Sequence, residues 1–208
     1  NCCLIDEGDE GVIFEPYWLT YADSIKLCSG NPVFVKGDMD SSFKPHPDAI
    51  RDKITPKTKY ILFSNPCNPT GALWQREDLE VLIDIAAEND IFLIVDEIYE
   101  KIVFDELDFV SCASLSRAKD ITITLNGFSK GAAMTGWRLG YAAGPKNVID
   151  AMKKVQQQTA TCPCSVSQIA AIAAFNDKES SSMMRSEYQK RRDIILKGLG
   201  NIKGFQPF

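Results

Sequence analysis

Lys130 and Arg138 stand close together in Asn126-Gly127-Phe128-Ser129-Lys130-Gly131-Ala132-Ala133-Met134-Thr135-Gly136-Trp137-Arg138-Leu139-Gly140, directly after the strand-like run Ile121-Thr122-Ile123-Thr124-Leu125. A lysine at the end of a buried strand, among small residues that let a ligand approach, is expected to be poorly solvated. Desolvation or a neighbouring cation shifts an amine toward its neutral form, the form that attacks a carbonyl to make a Schiff base. Arg138 offers a planar, permanently charged fork that suits a phosphate. Taken alone, the stretch reads equally well as a surface Ser-Lys turn followed by an ion-paired arginine.

Further polar groups fall at the ends of other apolar runs. Asn68 follows Tyr60-Ile61-Leu62-Phe63, while Asp96 and Tyr99 follow Ile91-Phe92-Leu93-Ile94-Val95. Ligands of parallel sheets gather in the loops beyond the carboxyl ends of strands, so these residues and Lys130 are expected to converge. A carboxylate at such a position needs a cationic partner or hydrogen-bond donors, and a protonated heterocyclic nitrogen would serve Asp96. Tyr99 and Asn68 could donate to a phenolic oxygen, and Trp18, at another strand-to-helix turn, offers a face for a flat ring. An imine-forming lysine, a carboxylate for a pyridine nitrogen and an arginine for phosphate are the parts of a pyridoxal phosphate site. Each part also has a plain structural reading. Asp96-Glu97 can cap a helix, Asn68-Pro69-Thr70-Gly71 is good β-turn chemistry, and Trp18, Tyr17, Tyr99 and Trp137 can be packing residues.

The elements that must position these groups follow from periodicity. Strands are expected at 11–15, 33–35, 60–63, 91–95, 121–125 and 139–143. Helices are expected at 19–28, 48–54, 76–89, 146–158, 165–176 and about 180–199, with Gly30 closing the first and Pro56 stopping the second. Strands alternating with helices, then helices alone, imply an α/β sandwich with a largely parallel sheet. The region from Phe104 to Arg117 is less regular, and a further strand could begin at 204–208.

A net charge of −5 and a pI near 5.0 argue against a nucleic-acid surface; Lys190-Arg191-Arg192 fits a helix face. No apolar run is long enough for a bilayer span, and the acidic Asp6-Glu7-Gly8-Asp9-Glu10 near the start is unlike a signal peptide. Seven cysteines, an odd and sparse set, point to a reducing compartment rather than a disulfide framework. With His46 as the single histidine, no metal site is expected, and Ser-His-Asp or Cys-His catalysis has no natural candidate. The first residue is not methionine, which is expected of a piece of a longer polypeptide.

Pro16-Tyr17-Trp18, Asn65-Pro66-Cys67-Asn68-Pro69-Thr70-Gly71, Asp96-Glu97-Ile98-Tyr99 and Ser129-Lys130 through Arg138-Leu139-Gly140 occur in one order over most of residues 9–175. Together they resemble the class I aminotransferases of the fold-type I pyridoxal phosphate-dependent family, the aspartate aminotransferase-like group. The resemblance implies a three-layer α/β sandwich with a mostly parallel central sheet, and pyridoxal 5'-phosphate as cofactor. Lys130 would bind the cofactor as a Schiff base and shuttle a proton at the substrate Cα. Asp96 would pair with the pyridine nitrogen, Tyr99 and Asn68 would bond the 3′ oxygen, and Trp18 would stack on the ring. Arg138 would hold the phosphate, with Ser129 as a second phosphate contact. Some relatives carry a serine where this chain has Gly127.

The resemblance further implies a cytoplasmic homodimer acting on an amino acid and a 2-oxo acid, without nucleic-acid or membrane partners. Its domain plan would make residues 1–176 a large cofactor domain lacking its N-terminal part, and 177–208 a helical connection toward a small domain. The missing parts put activity of the chain by itself in question. Related enzymes with the same site eliminate from C–S bonds or make aminocyclopropane carboxylate, and a non-catalytic module on the same fold is a third alternative. No cation lies in the Gln156 to Ser165 loop to select a second substrate carboxylate.

Overall fold

Runs of β-branched and aromatic residues without polar alternation form strands covered on both faces, and the intervening amphipathic stretches form the helices that cover them. The computed structural model describes residues 1–205. Its elements are β1 (Glu10–Glu15), α1 (Thr20–Leu27), β2 (Asn31–Lys36), α2 (Pro47–Arg51), β3 (Thr58–Ser64), α3 (Arg76–Glu88) and β4 (Phe92–Asp96). They continue with β5 (Thr122–Gly127), β6 (Gly140–Ala143), α4 (Lys146–Thr159), α5 (Ser165–Asn176) and α6 (Lys178–Gly200). Single 3₁₀ turns lie at Cys112–Ser114 and Thr135–Trp137. The expected strand at 204–208 runs into residues 206–208, which lie outside the described residues.

The six strands form one sheet in the order β2-β1-β3-β4-β5-β6. All neighbours pair parallel except β5 and β6, which run antiparallel. Successive residues of a strand face opposite sides, so one strand feeds two cores. Val12, Phe14, Ile61, Phe63, Leu93 and Val95 point to a core completed by α2 and α3, with Ile50, Leu79, Leu82 and Ile85. Ile13, Tyr60, Leu62 and Ile94 point to the other side, where Tyr21, Ala22 and Ile25 of α1 and Val148 of α4 pack. The result is the three-layer arrangement that the strand–helix alternation implies.

Local signals set the ends of the helices. Asp78 Oδ2 accepts the Gln75 N–H at 2.9 Å and a Lys44 ammonium at 2.6 Å, which fixes the start of α3. α6 starts slightly earlier than periodicity suggests because the Asp177 side chain caps it, accepting the Ser180 N–H at 2.9 Å. Further along α6, Arg192 grips both oxygens of Asp105 at 2.5 and 2.6 Å and lies over the Phe104 ring. The irregular stretch after β4 is thereby tied to the last helix.

Candidate active site

The carboxyl ends of β1, β3, β4 and β5 lie along one edge of the sheet, because these strands are parallel. From β1 the chain moves outward to β2, and from β3 it moves the other way to β4 and β5. The connections therefore part between β1 and β3, and a crevice opens at such a switch point. Pro16-Tyr17-Trp18 leaves β1 on one side of it and Asn65 to Gly71 leaves β3 on the other. Asp96 ends β4 and pairs in register with Ser64 of β3 and Leu125 of β5.

Asp96 is half-buried, and it is held by neutral donors. Its Oδ2 accepts the Tyr21 hydroxyl at 2.8 Å and its Oδ1 accepts the Ile98 N–H at 3.2 Å. Burial pushes its carboxyl above the usual range, while the two hydrogen bonds pull against that shift. Among the described residues no lysine or arginine forms an ion pair with it. Tyr21 is buried, and burial followed by the Asp96 charge drives its phenol well above its ordinary value, so it remains a donor. The Ser64 side chain also hydrogen-bonds Tyr21, and its Oγ accepts the Asn68 N–H at 3.1 Å. Asn68 is thus linked to Asp96 through two intermediate side chains. Trp18 is 47% exposed and packs edge-on against Tyr21 with ring centroids 5.6 Å apart.

Lys130 begins the other half of the site. Its Nζ lies 5.8 Å from the Tyr99 ring centroid, so these two residues meet directly. The expectation of a poorly solvated lysine does not hold: Lys130 is exposed, because it sits past the end of β5 in a turn instead of within the strand. The loop around it is braced from inside. Thr135 Oγ1 donates to the Ser129 carbonyl at 2.8 Å, Arg138 Nη1 donates to the Thr135 carbonyl at 2.9 Å, and Phe128 N–H reaches the Leu139 carbonyl at 3.2 Å. Arg138 adopts φ 52° and ψ 50°, a left-handed conformation that costs a non-glycine residue energy and persists where the surroundings impose it. Ser129 and Arg138 are therefore joined through Thr135, while neither makes a hydrogen bond with Lys130.

Gly127 pairs with Gly140 across β5 and β6, and a Cβ on it would lie 2.9 Å from the Leu139 carbonyl oxygen. A serine at this position has no room unless the strand pair shifts.

Three polar residues of this region escape a reading of the sequence. Tyr21 and Ser64 act through neighbours that only folding brings together; their one local signal is a position at a strand end or in the first turn after it. Glu97 is 2% exposed, and its Oε1 accepts both the Ser111 hydroxyl and the Cys112 N–H at 3.0 Å. Burial pushes its carboxyl up to about 7. An acidic pair after a strand looks like a helix cap, yet Glu97 fastens the stretch that follows β4.

The sequence profile of the family described as aminotransferase class I and II matches residues 1–208. An aspartate aminotransferase of Rhizobium meliloti is 42% identical over 203 residues, covering 96% of this chain and 50% of that protein. An aspartate/prephenate aminotransferase of Thermus thermophilus is 41% identical, covering 94% of this chain and 51% of its own length. The crystal structure of the Rhizobium meliloti aspartate aminotransferase superposes with a TM-score of 0.94 at 39% identity, covering 98% of this chain and 52% of that one. The aromatic aminotransferase of Pyrococcus horikoshii superposes at 0.92 with 39% identity, covering 96% and 54%. The chain spans about half the length of the curated relatives it matches.

Proposed function

Because the chain belongs to the class I and II aminotransferases, we propose that it is the cofactor-binding part of a pyridoxal phosphate-dependent transaminase, which moves an amino group between an amino acid and a 2-oxo acid. Asp96 carries the proposal. It is a desolvated carboxylate given two neutral donors and no ion pair among the described residues, at the same sheet edge as a lysine amine with no hydrogen bond there. Such a donor set fits a flat, phosphorylated, protonated heterocycle. The carboxylate suits a ring N–H, and Trp18 has exposed aromatic surface. Arg138 spends one nitrogen on the Thr135 carbonyl and keeps the rest of its fork free of protein partners among the described residues.

Once bound, pyridoxal phosphate supplies a carbonyl that takes up the amino group and a ring that accepts electron density as a bond at the substrate Cα breaks. Asp96 would keep the ring nitrogen protonated, and Tyr21, bonded to Asp96 Oδ2, would hold it in place for that task. Asn68 and Tyr99 would hold the ring's phenolic oxygen, Trp18 would support its face, and Arg138 with Ser129 would anchor the phosphate. Lys130 Nζ would hold the cofactor through its carbonyl carbon, and as a free amine it would take and return the proton at the substrate Cα as general base and acid. Residues 1–176 form the cofactor domain and 177–208 the connection to a further domain. Val166, Ile169, Ile172 and Phe175 leave α5 with four exposed apolar side chains, which supports a homodimer. A cytoplasmic setting accords with seven cysteines all present as free thiols. Relatives named for aspartate, prephenate and aromatic substrates support partners drawn from amino acids and their 2-oxo acids.

The test is an absorption spectrum of the chain with added pyridoxal phosphate, followed by borohydride reduction and peptide mapping. A visible band and a reduced label on Lys130 are expected. A label on another lysine overturns the assignment. In the enzyme spanning the relatives' full length, Lys130→Ala should lower turnover at least about a thousandfold, as loss of the acid–base group and the covalent anchor demands. Near-normal turnover would remove Lys130 from the chemistry.

A further inference from the structure

Away from the candidate active site, Cys2 Sγ and Cys28 Sγ lie 3.2 Å apart, closer than two unbonded sulfurs normally rest and a short approach from a bond of about 2.05 Å. The two belong to segments that are already docked on each other. Asn1 Nδ2 donates to Ser24 Oγ at 2.5 Å, Tyr60 Oη donates to Asn1 Oδ1 at 2.6 Å, and Ile5 is buried in the core that includes Ile25. Cys28 caps α1, with its N–H bonded to the Ile25 carbonyl at 3.0 Å. The two sulfurs therefore face each other from segments that the fold already holds together.

We propose that Cys2 and Cys28 are a thiol modification site, a pair that a small-molecule disulfide such as oxidised glutathione converts to a reversible intramolecular disulfide. The exposed Cys2 meets the reagent first. Its thiolate attacks one sulfur of oxidised glutathione, forming a mixed disulfide and releasing one glutathione thiolate. The Cys28 thiolate then attacks Cys2 Sγ, the Cys2–Cys28 bond forms, and the second glutathione leaves. Two protein thiols are oxidised, one glutathione disulfide is reduced, and the two protons pass to the departing thiolates. Burial of Cys28, reinforced by its bond with Cys2, pushes its thiol up, which lowers its thiolate fraction and suits it to act second. The closed bond joins the start of the chain to the end of α1, the helix whose first turn holds Tyr21 against Asp96.

The test is incubation of the chain with oxidised glutathione, alkylation of remaining thiols and peptide mapping. The expected product is a peptide linking Cys2 to Cys28, lost on treatment with dithiothreitol. With the link closed, the melting temperature should rise by about 5 to 10 °C, as for a disulfide closing a loop of this size. Cys28→Ser should instead accumulate glutathione on Cys2, and Cys2→Ser should leave Cys28 free to alkylation. A mixed disulfide that persists on Cys2 in the unaltered chain, a Cys2–Cys3 link, or a link between two chains would each overturn the proposal.

Discussion

A hydroxyl that donates to a desolvated carboxylate decides how readily that carboxylate carries charge. The bond from Tyr21 favours the ionised form of Asp96, against the burial that disfavours it. Tyr21→Phe keeps the ring packed against Trp18 and removes the hydroxyl, with its donation to Asp96 and its bond with Ser64. A hydrogen bond to a charged group contributes about 1.5 to 3 kcal/mol, so cofactor affinity should weaken about tenfold or more at neutral pH. The acidic limb of the binding profile should also move to higher pH, because Asp96 then loses its proton later. An unchanged profile would show that Tyr21 merely fills space. Glu97 supplies a second prediction. Its carboxyl is raised from the ordinary 4.5 to about 7, so the folded state holds the proton more firmly than the unfolded chain. That contribution to stability is complete below about pH 4.5 and is lost as pH climbs through about 7. Glu97→Gln keeps an Oε1 acceptor for Ser111 and Cys112 and removes the titration. Urea denaturation across this range should show the unaltered chain losing about 3 kcal/mol relative to the variant. Parallel curves would place the Glu97 proton outside the folding equilibrium.

At the scale of the elements, α6 is held to the stretch after β4 by Arg192, Asp105 and Gln189. The carboxylate is more than half exposed, so Arg192→Ala should cost less than about 1 kcal/mol in global stability. It should nonetheless speed amide hydrogen exchange along α6 at low salt, and equal exchange would mean that the helix is held by packing alone. The order of strands and helices was legible in the sequence because buried parallel strands read as unbroken apolar runs and helices as 3.6-residue stripes. Helix ends were less so: the start of α6 depends on what the Asp177 side chain finds, and after α1 it is Ser29, at φ 61°, and not Gly30 that takes the left-handed conformation. Lys130, Asp96 and Asn68 could be placed at strand ends because their side chains follow a readable strand directly. Tyr21, Ser64 and Glu97 could not, since their partners come from strands and loops far along the chain. The exposure of Lys130 was misjudged for a similar reason: strand periodicity describes β5, and Lys130 lies past its end.

Over the whole molecule, two cores on opposite faces of one sheet contrast with an outer layer that leaves apolar groups uncovered. Val166, Ile169, Ile172 and Phe175 recur along α5 at three-residue intervals, which spreads them over about half the circumference of the helix. Sedimentation of the chain at increasing concentration should show association, and Ile169→Asp combined with Phe175→Asp should keep it monomeric. A monomer at every concentration would remove these side chains as a contact surface. The sheet itself also stays unfinished on one side. β6 is its last strand, and its residues are largely exposed. Among the described residues, one row of backbone amides and carbonyls there faces no partner strand, and along Gly140-Tyr141-Ala142-Ala143 there is no proline, no charge and no bulge. That border is a template on which an extended segment can be laid down as a seventh strand by main-chain bonding alone.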